Sequence, residues 1–204
     1  MTGPPLDIFF VMTIAELKRQ KRQEMRQRLE PLTPMVKVAH SEKIVARVAS
    51  LPAFRDADIV LGYVPLSSEP DTVALYDMAF TMGKEVAFPR CHVNGSMEFF
   101  KMGPDWRDHL VRGPLPIFEP DPTHSTPMVV AEGLCTLVLV PGLAFTVHRR
   151  RLGRGRGYYD RFHSAHRADF TYFGVCFDIQ MEAQIPYEAH DMVVDMVVSE
   201  SAVY

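Results

Sequence analysis

The 204-residue sequence has three cysteines, one tryptophan and no uninterrupted apolar stretch of 18 residues. Each shortage excludes something. Cys91, Cys135 and Cys176 lie at least 41 residues apart. That spacing fits neither a zinc knuckle nor a CxxC redox pair, and the odd count argues against a secreted disulfide scaffold. A reducing cytoplasm is the expected location. Without a long apolar run there is no candidate membrane span. Ile8–Met12 is apolar, but no positive charge precedes it and no small-residue cleavage site follows, so it does not read as a signal peptide. Residues 1–12 are expected to be a frayed leader or a strand packed on the body, with Met12 an alternative start. The chain has no GxxxxGK[ST], no GxGxxG after a strand and no GxSxG. P-loop, dinucleotide-binding and α/β-hydrolase chemistry therefore have no anchor. None of the eight histidines has ligand spacing, so His92, His109, His163 and His166 read as surface or packing residues. An apolar fraction of 47% and a charged fraction of 23% are ordinary for a globular protein and exclude disorder, collagen and coiled coil. The length suits a single domain over 1–204.

What is present is unevenly distributed charge. Net charge is −3. Residues 18–28 carry Lys18, Arg19, Lys21, Arg22, Arg26 and Arg28 against Glu24, a local +5. Residues 148–167 carry seven arginines against Asp160, a local +6, which leaves −14 on the other 173 residues. Two cationic patches in an acidic protein point to a polyanionic ligand held at one place. They argue against a protein that coats nucleic acid, where the whole domain turns basic.

Periodicity predicts an α/β fold. Thr13 to Glu16 has the form of a capping box opening a helix over 14–29, with Ile14, Leu17, Met25 and Leu29 inward. Thr33-Pro34 starts a second helix that Pro52 ends, with Val38, Ile44, Val45 and Val48 inward. A strand over 59–64, a helix over 72–82 closed by Gly83 and a strand over 85–88 make a parallel βαβ unit. Residues 97–102 read as a hairpin strand and the proline-rich 103–133 as a surface excursion. A strand over 134–140, a helix from 157 to about 168, and strands over 172–177 and 192–198 complete the chain. The expectation is one three-layer α/β/α domain around a mostly parallel sheet, with ligands bound beyond the carboxyl ends of its strands.

The chemistry concentrates after the strand Leu137–Val140. Pro141-Gly142-Leu143-Ala144-Phe145 enters a loop, followed by Arg151-Leu152-Gly153-Arg154-Gly155-Arg156-Gly157-Tyr158-Tyr159-Asp160-Arg161. Alternating glycines let backbone N–H groups converge on a ligand, and the interleaved arginines offer planar charged forks that grip phosphate in pairs. The helix that opens next favours an anion at its amino end. Asp160, in its first turn, is placed to carry a hard divalent cation.

These segments resemble 5-formyltetrahydrofolate cyclo-ligase, also called methenyltetrahydrofolate synthetase. The resemblance rests on Val140–Phe145 with RLGRGRGYYDR, on Lys18-Arg19-Gln20-Lys21-Arg22 with Arg26 and Leu29, on Tyr63-Val64-Pro65 with Glu69, Asp71 and Thr72 followed by Gly83-Lys84 and Pro89, and on His190-Asp191-Met192-Val193-Val194-Asp195. It spans about 17–198. It implies an ATP- and Mg²⁺-dependent carbon–nitrogen ligase that converts 5-formyltetrahydrofolate to 5,10-methenyltetrahydrofolate with release of ADP and phosphate. The implied route has the formyl oxygen attack the γ-phosphoryl group; the neighbouring amine then closes the ring and phosphate departs. Such a reaction needs positioning and charge neutralisation, and no side-chain nucleophile.

Residue by residue, the resemblance assigns the nucleotide to Lys18, Arg22 and the loop Arg151, Leu152, Gly153, Arg154, Gly155, Arg156, Gly157, Tyr158 and Tyr159. It places Arg154, Arg156 and Tyr158 at the reacting groups. Val64, Glu69, Arg154 and Tyr158 go to the folate, with Phe145 and Trp106 as weaker aromatic candidates, and Asp160 and Asp191 to Mg²⁺. Replacing Arg154 is expected to abolish turnover with little effect on folding. Two departures from the family pattern stand out. Thr146 replaces an Asp, and Arg149 replaces a Gly expected in a tight turn, where a left-handed backbone costs arginine about 1 kcal/mol; Arg149 and Arg150 are expected to face solvent. The resemblance implies a small-molecule substrate, in free or polyglutamylated form, and a monomer that binds neither nucleic acid nor membrane is expected. The rival readings are a non-catalytic nucleotide- or RNA-binding relative of the same fold and a sugar-phosphate enzyme that needs no ATP.

Overall fold

The computed structural model describes residues 12–167 and 169–204. The apolar run at 8–11 and the end of the last predicted helix at Ala168 lie outside them. Helix α1 (Ile14–Leu29) opens on the expected capping box: the Thr13 hydroxyl accepts from Glu16 N, and the Glu16 carboxylate accepts from Thr13 N at 2.8 Å. Helix α2 (Pro34–Ser50) is capped by the Thr33 hydroxyl and starts on Pro34, where a missing N–H breaks no helical bond. Pro52 does more than end it, since it begins a short helix α3 (Pro52–Arg55).

Strand β1 (Ile59–Leu61), helix α4 (Val73–Thr81) and strand β2 (Glu85–Cys91) form the predicted parallel unit, with Ile59 opposite Glu85. β2 continues through Pro89. β1 accompanies it only as far as Ala87, so the missing proline N–H breaks no bond on that flank. Strand β3 (Met97–Met102) returns antiparallel as expected. The 103–133 excursion contains a 3₁₀ turn (Trp106–His109), a small antiparallel pair β4 (Leu110–Arg112) and β5 (Phe118–Pro120), and an edge strand β6 (Thr126–Pro127). Then come β7 (Thr136–Pro141), β8 (Ala144–Thr146), β9 (Arg151–Leu152), helix α5 (Tyr158–His166), β10 (Phe170–Val175), β11 (Met181–Glu182) and β12 (Met196–Val198).

The main sheet runs β12-β10-β7-β1-β2-β3-β6, parallel from β12 to β2 and antiparallel at β3 and β6. A second small sheet, β11-β8-β9, stands beside it. Helices α1 to α4 cover one face, where Met25, Ile44, Phe54 and Tyr76 pack on Val60, Leu137 and Phe173. Helix α5 and loop residues cover the other, packing on Ile59, Val138 and Tyr172. The α/β/α layering and the mostly parallel sheet are thus present. Among the described residues no helix is long and apolar enough to cross a membrane.

Two helix faces differ from their sequence reading. Ile14 and Leu17 are exposed while Lys18 is 6% exposed, because the amino half of α1 rests over acidic side chains and not over the core. Val38 is likewise exposed, and Ser41 takes the inward position, its hydroxyl accepting from Asp71 N.

Candidate active site

The carboxyl ends of β1, β2 and β7 lead into Tyr63–Glu69, Cys91 and Pro141-Gly142, and these segments meet the Arg151–Gly157 loop. Two cavities adjoin there. A cleft of about 740 Å³ is lined by Lys18, Arg22, Arg151, Asp160, Glu188 and Asp191. A narrower pocket of about 170 Å³ is walled by Val64, Glu69, Leu115, Ile117, Tyr158 and Tyr159. Arg151, Gly153, Gly157 and Asp160 line both, so one loop forms the partition. A larger cavity of about 1070 Å³ around Cys135 and Thr136 sits at the opposite, amino end of the strands and holds none of the predicted site residues.

The predicted nucleotide loop is divided by this partition. Leu152 and Gly155 face the large cleft with Arg151, Gly153 and Gly157. Arg154, Arg156, Tyr158 and Tyr159 line the narrow pocket together with Val64 and Glu69. Gly157 is the residue before α5 and sits at φ 70°, a left-handed turn that swings the chain from the loop into the helix.

In the large cleft the cations are already engaged. Lys18 Nζ contacts Asp191 at 2.7 Å and Glu188 at 2.7 Å. Burial pulls its ammonium down, but the two carboxylates together outweigh that and hold it above the usual lysine value. Arg22 Nε donates to Gly153 O at 2.9 Å and so ties α1 to the loop. Asp160 Oδ1 accepts from Met192 N at 3.2 Å and lies 3.7 Å from Arg151 Nη1. Elsewhere on the basic α1 patch, Lys21 and Arg28 both pair with Glu182.

In the narrow pocket Arg154 grips Glu69, with Nε at 3.0 Å and Nη2 at 2.9 Å from the same oxygen, and Nη2 also reaches Ser68 Oγ at 2.8 Å. The other Glu69 oxygen accepts from Leu66 N at 3.0 Å. Tyr158 donates its hydroxyl to His92 O at 3.0 Å. Burial raises the Tyr159 phenol well above its usual value and pushes the Cys91 thiol up to about 12, with Glu119 adding to the latter, so both are protonated at neutral pH. Phe145 and Trp106 are not in either cavity; both are core residues, Phe145 beneath Gly142 and Gly174 and Trp106 against Phe88.

The donor set suits an anion and a cation. Among the described residues, Arg151 Nη1 and Tyr159 Oη are buried polar atoms without a hydrogen-bond partner, the first on the partition and the second in the wall of the narrow pocket, where a ligand's polar atoms would satisfy them. Asp160 fits a divalent ion, since among the described residues only its Oδ1 accepts a hydrogen bond. Asp191 has both oxygens in use, one toward Glu188 N at 2.7 Å and both near Lys18, whose ammonium stands where a metal would. Glu188 and His190 place further ligand atoms within 4.8 Å of Asp191.

Glu188, Ser68, Leu115 and Ile117 were not anticipated. Leu115 and Ile117 had a signal, two apolar residues at strand spacing inside a proline-rich stretch. The Arg149 turn forms despite the lost glycine: Arg149 adopts φ 64°, Arg149 N donates to Thr146 O at 2.8 Å, and the Thr146 hydroxyl accepts from Arg150 N at 3.2 Å. Arg149 and Arg150 are exposed, Arg150 lying 4.4 Å over the Tyr187 ring.

Residues 14–200 match the model of the 5-formyltetrahydrofolate cyclo-ligase family. The chain is 29% identical over 185 residues to an Escherichia coli protein named 5-formyltetrahydrofolate cyclo-ligase, covering 88% of this chain and 98% of that one. A mouse protein of the same name is 26% identical over 197 residues, covering 94% and 97%. The solved structure of Aquifex aeolicus 5,10-methenyltetrahydrofolate synthetase superimposes with a TM-score of 0.75 at 29% identity, covering 92% of this chain and 91% of that one. With its parallel sheet, its partitioned double cavity and a match over nearly its whole length, the chain belongs to the 5-formyltetrahydrofolate cyclo-ligase family.

Proposed function

We propose that this chain converts 5-formyltetrahydrofolate to 5,10-methenyltetrahydrofolate, using Mg²⁺-ATP bound in the large cleft and the folate bound in the narrow pocket. The observation that carries the reading is the shared partition: Arg151, Gly153, Gly157 and Asp160 face both cavities, so a phosphate end in one meets a formyl group in the other. When bound, Mg²⁺-ATP supplies a phosphoryl group that turns the formyl oxygen into a leaving group, so that the neighbouring folate nitrogen can close the ring.

The chain's own residues do the positioning. Lys18, Arg22 and Arg151 hold phosphate charge along the cleft, and Arg151 Nη1, buried with Asp160 3.7 Å away and no hydrogen-bond partner among the described residues, has donors for phosphate oxygen. Arg154 and Arg156 approach the same wall from the folate side. Glu69 offers a carboxylate to the amino group and ring N–H of a pterin, a bidentate match, while Val64, Leu115 and Ile117 exclude water. Tyr158, fixed through His92 O, stands over the formyl end. Asp160 holds the metal, and Asp191 joins it once Lys18 moves onto phosphate. The same reading makes the protein a monomeric, single-domain enzyme of the cytoplasm.

The test is direct. Purified protein with 5-formyltetrahydrofolate, ATP and Mg²⁺ should develop the near-ultraviolet absorbance of the methenyl product. No absorbance change, with the fold intact, refutes the proposal.

A further inference from the structure

We propose that Arg161 is a positioning residue for the reaction, with the turn between β2 and β3 as its abutment; this rests on the functional reading above. Arg161 lies on the first turns of α5, four residues after Gly157. Its Nε and Nη2 donate to Gly95 O at 2.9 and 2.7 Å, and Nη2 donates to Arg156 O at 2.7 Å. Its guanidinium also sits 5.6 Å from the centre of the Tyr158 ring. One side chain thereby fixes the backbone at Arg156 and the ring of Tyr158 to the same point.

That point is held by the turn's own hydrogen bonds. The 92–96 turn closes on itself, with His92 N donating to Ser96 O at 2.9 Å and Gly95 N to His92 O at 3.0 Å, above the pair Cys91–Met97 in the main sheet. It presents two carbonyls to the loop: Gly95 O takes Arg161 and His92 O takes Tyr158. Gly95 sits at φ 90°, and a Cβ there would lie 2.8 Å from Arg161 Nη2. The close approach therefore depends on glycine. Neither His92 nor Gly95 lines the cleft or the pocket. The turn's side-chain links to the loop are Arg161 and Tyr158, while Cys91 and Met97, which flank it, line the narrow pocket; removing Arg161 separates the two routes.

A misplacement of about 1 Å in a catalytic loop can cost about 10²-fold in rate. Arg161→Ala should therefore lower kcat by about 10- to 100-fold. KM for folate and for Mg²⁺-ATP should move less than kcat, because Glu69, Val64, Lys18 and Arg22 sit on other elements; Arg161 also lines the large cleft, so a KM change for Mg²⁺-ATP as large as the kcat loss would make it a phosphate contact and overturn the positioning role. Methylguanidine added to Arg161→Ala should restore part of kcat, and Arg161→Lys, a charge without the fork, should remain slow. Gly95→Ala should reproduce the kcat loss from outside both cavities. In the double variant the Gly95→Ala effect should shrink to the part carried by the Tyr158–His92 bond and the pocket wall. An unchanged kcat in Arg161→Ala overturns the proposal, as does a Gly95→Ala penalty of equal size with and without Arg161. If the wild type makes product and these results are negative, only the Arg161 role fails; if the wild type makes none, the functional reading fails first.

Discussion

The sequence reading expects little effect on folding from loss of Arg154, whereas its contacts in the structure predict a measurable one. Its guanidinium makes two bonds to one oxygen of Glu69, whose side chain is only 5% exposed. Without Arg154 the carboxylate keeps a single backbone bond, from Leu66 N, in a largely dry pocket. Stripping a fully buried pair of one partner costs about 3–5 kcal/mol. The Arg154 side chain is 35% exposed, so water reaches this pair and relieves part of the penalty. Arg154→Ala should therefore lose about 2 kcal/mol, read as a lower urea midpoint at unchanged m-value. Adding Glu69→Gln removes the stranded charge, and the double variant should regain about 1 kcal/mol or more of that loss. Turnover should be lost in both. Equal instability of the single and double variants would refute the claim that an unpaired Glu69 is the cause.

Other perturbations read other parts of the site. Arg149→Gly relieves a left-handed backbone at φ 64° at the expense of an exposed bond to Asp195 O, so thermal or urea stability should rise by up to about 1 kcal/mol; a loss would show the turn is unstrained. His163, buried at the edge of the large cleft against the Tyr172 ring, is held below its usual 6.5, first by burial and then by Arg167. The unfolded chain thus takes up that proton first, so stability present above pH 6.5 should decline on acidification below it, and His163→Gln should flatten the decline. Asp160→Asn should raise the Mg²⁺ concentration needed for half-maximal turnover and weaken transition-state stabilisation by about 2–4 kcal/mol. An unaltered Mg²⁺ titration would remove Asp160 from the metal.

The legible parts of the fold were those with local causes. The Thr13 box, the Thr33-Pro34 start, the βαβ unit and Gly83, left-handed at φ 74° just past α4, are written in residues near one another in sequence. The β4–β5 pair and the β11-β8-β9 sheet were not legible, because two- and three-residue strands carry no measurable period. In the site, the glycine–arginine alternation marked the loop. What it did not reveal was which way each arginine turns: Arg151 reaches both cavities, Arg154 is drawn to Glu69 by an acid 85 residues away, and Arg149 and Arg150 stay outside. Side-chain direction there is decided by tertiary partners, a carboxylate for Arg154, a carbonyl for Arg149 and a ring for Arg150, which spacing does not encode.

The distant carboxylates follow a rule of their own. Lys18, assigned to phosphate, is held by Asp191, assigned to metal; Arg154, assigned to both the reacting phosphate and the folate, is held by Glu69, assigned to the pterin. Each of these two cations is thus neutralised by an acid that has a proposed ligand of its own. A site with these arginines and lysines unpaired would set like charges side by side, at a steep cost in stability where the walls exclude water. Pairing removes that cost, and on the proposed reading binding becomes an exchange: metal for ammonium at Asp191, pterin for guanidinium at Glu69, with both freed cations turning to phosphate. Ligand at one cavity then releases a cation useful to the other. The two occupants should bind with positive coupling, so that the apparent affinity for Mg²⁺-ATP rises when folate is present and, by linkage, the reverse holds by the same factor.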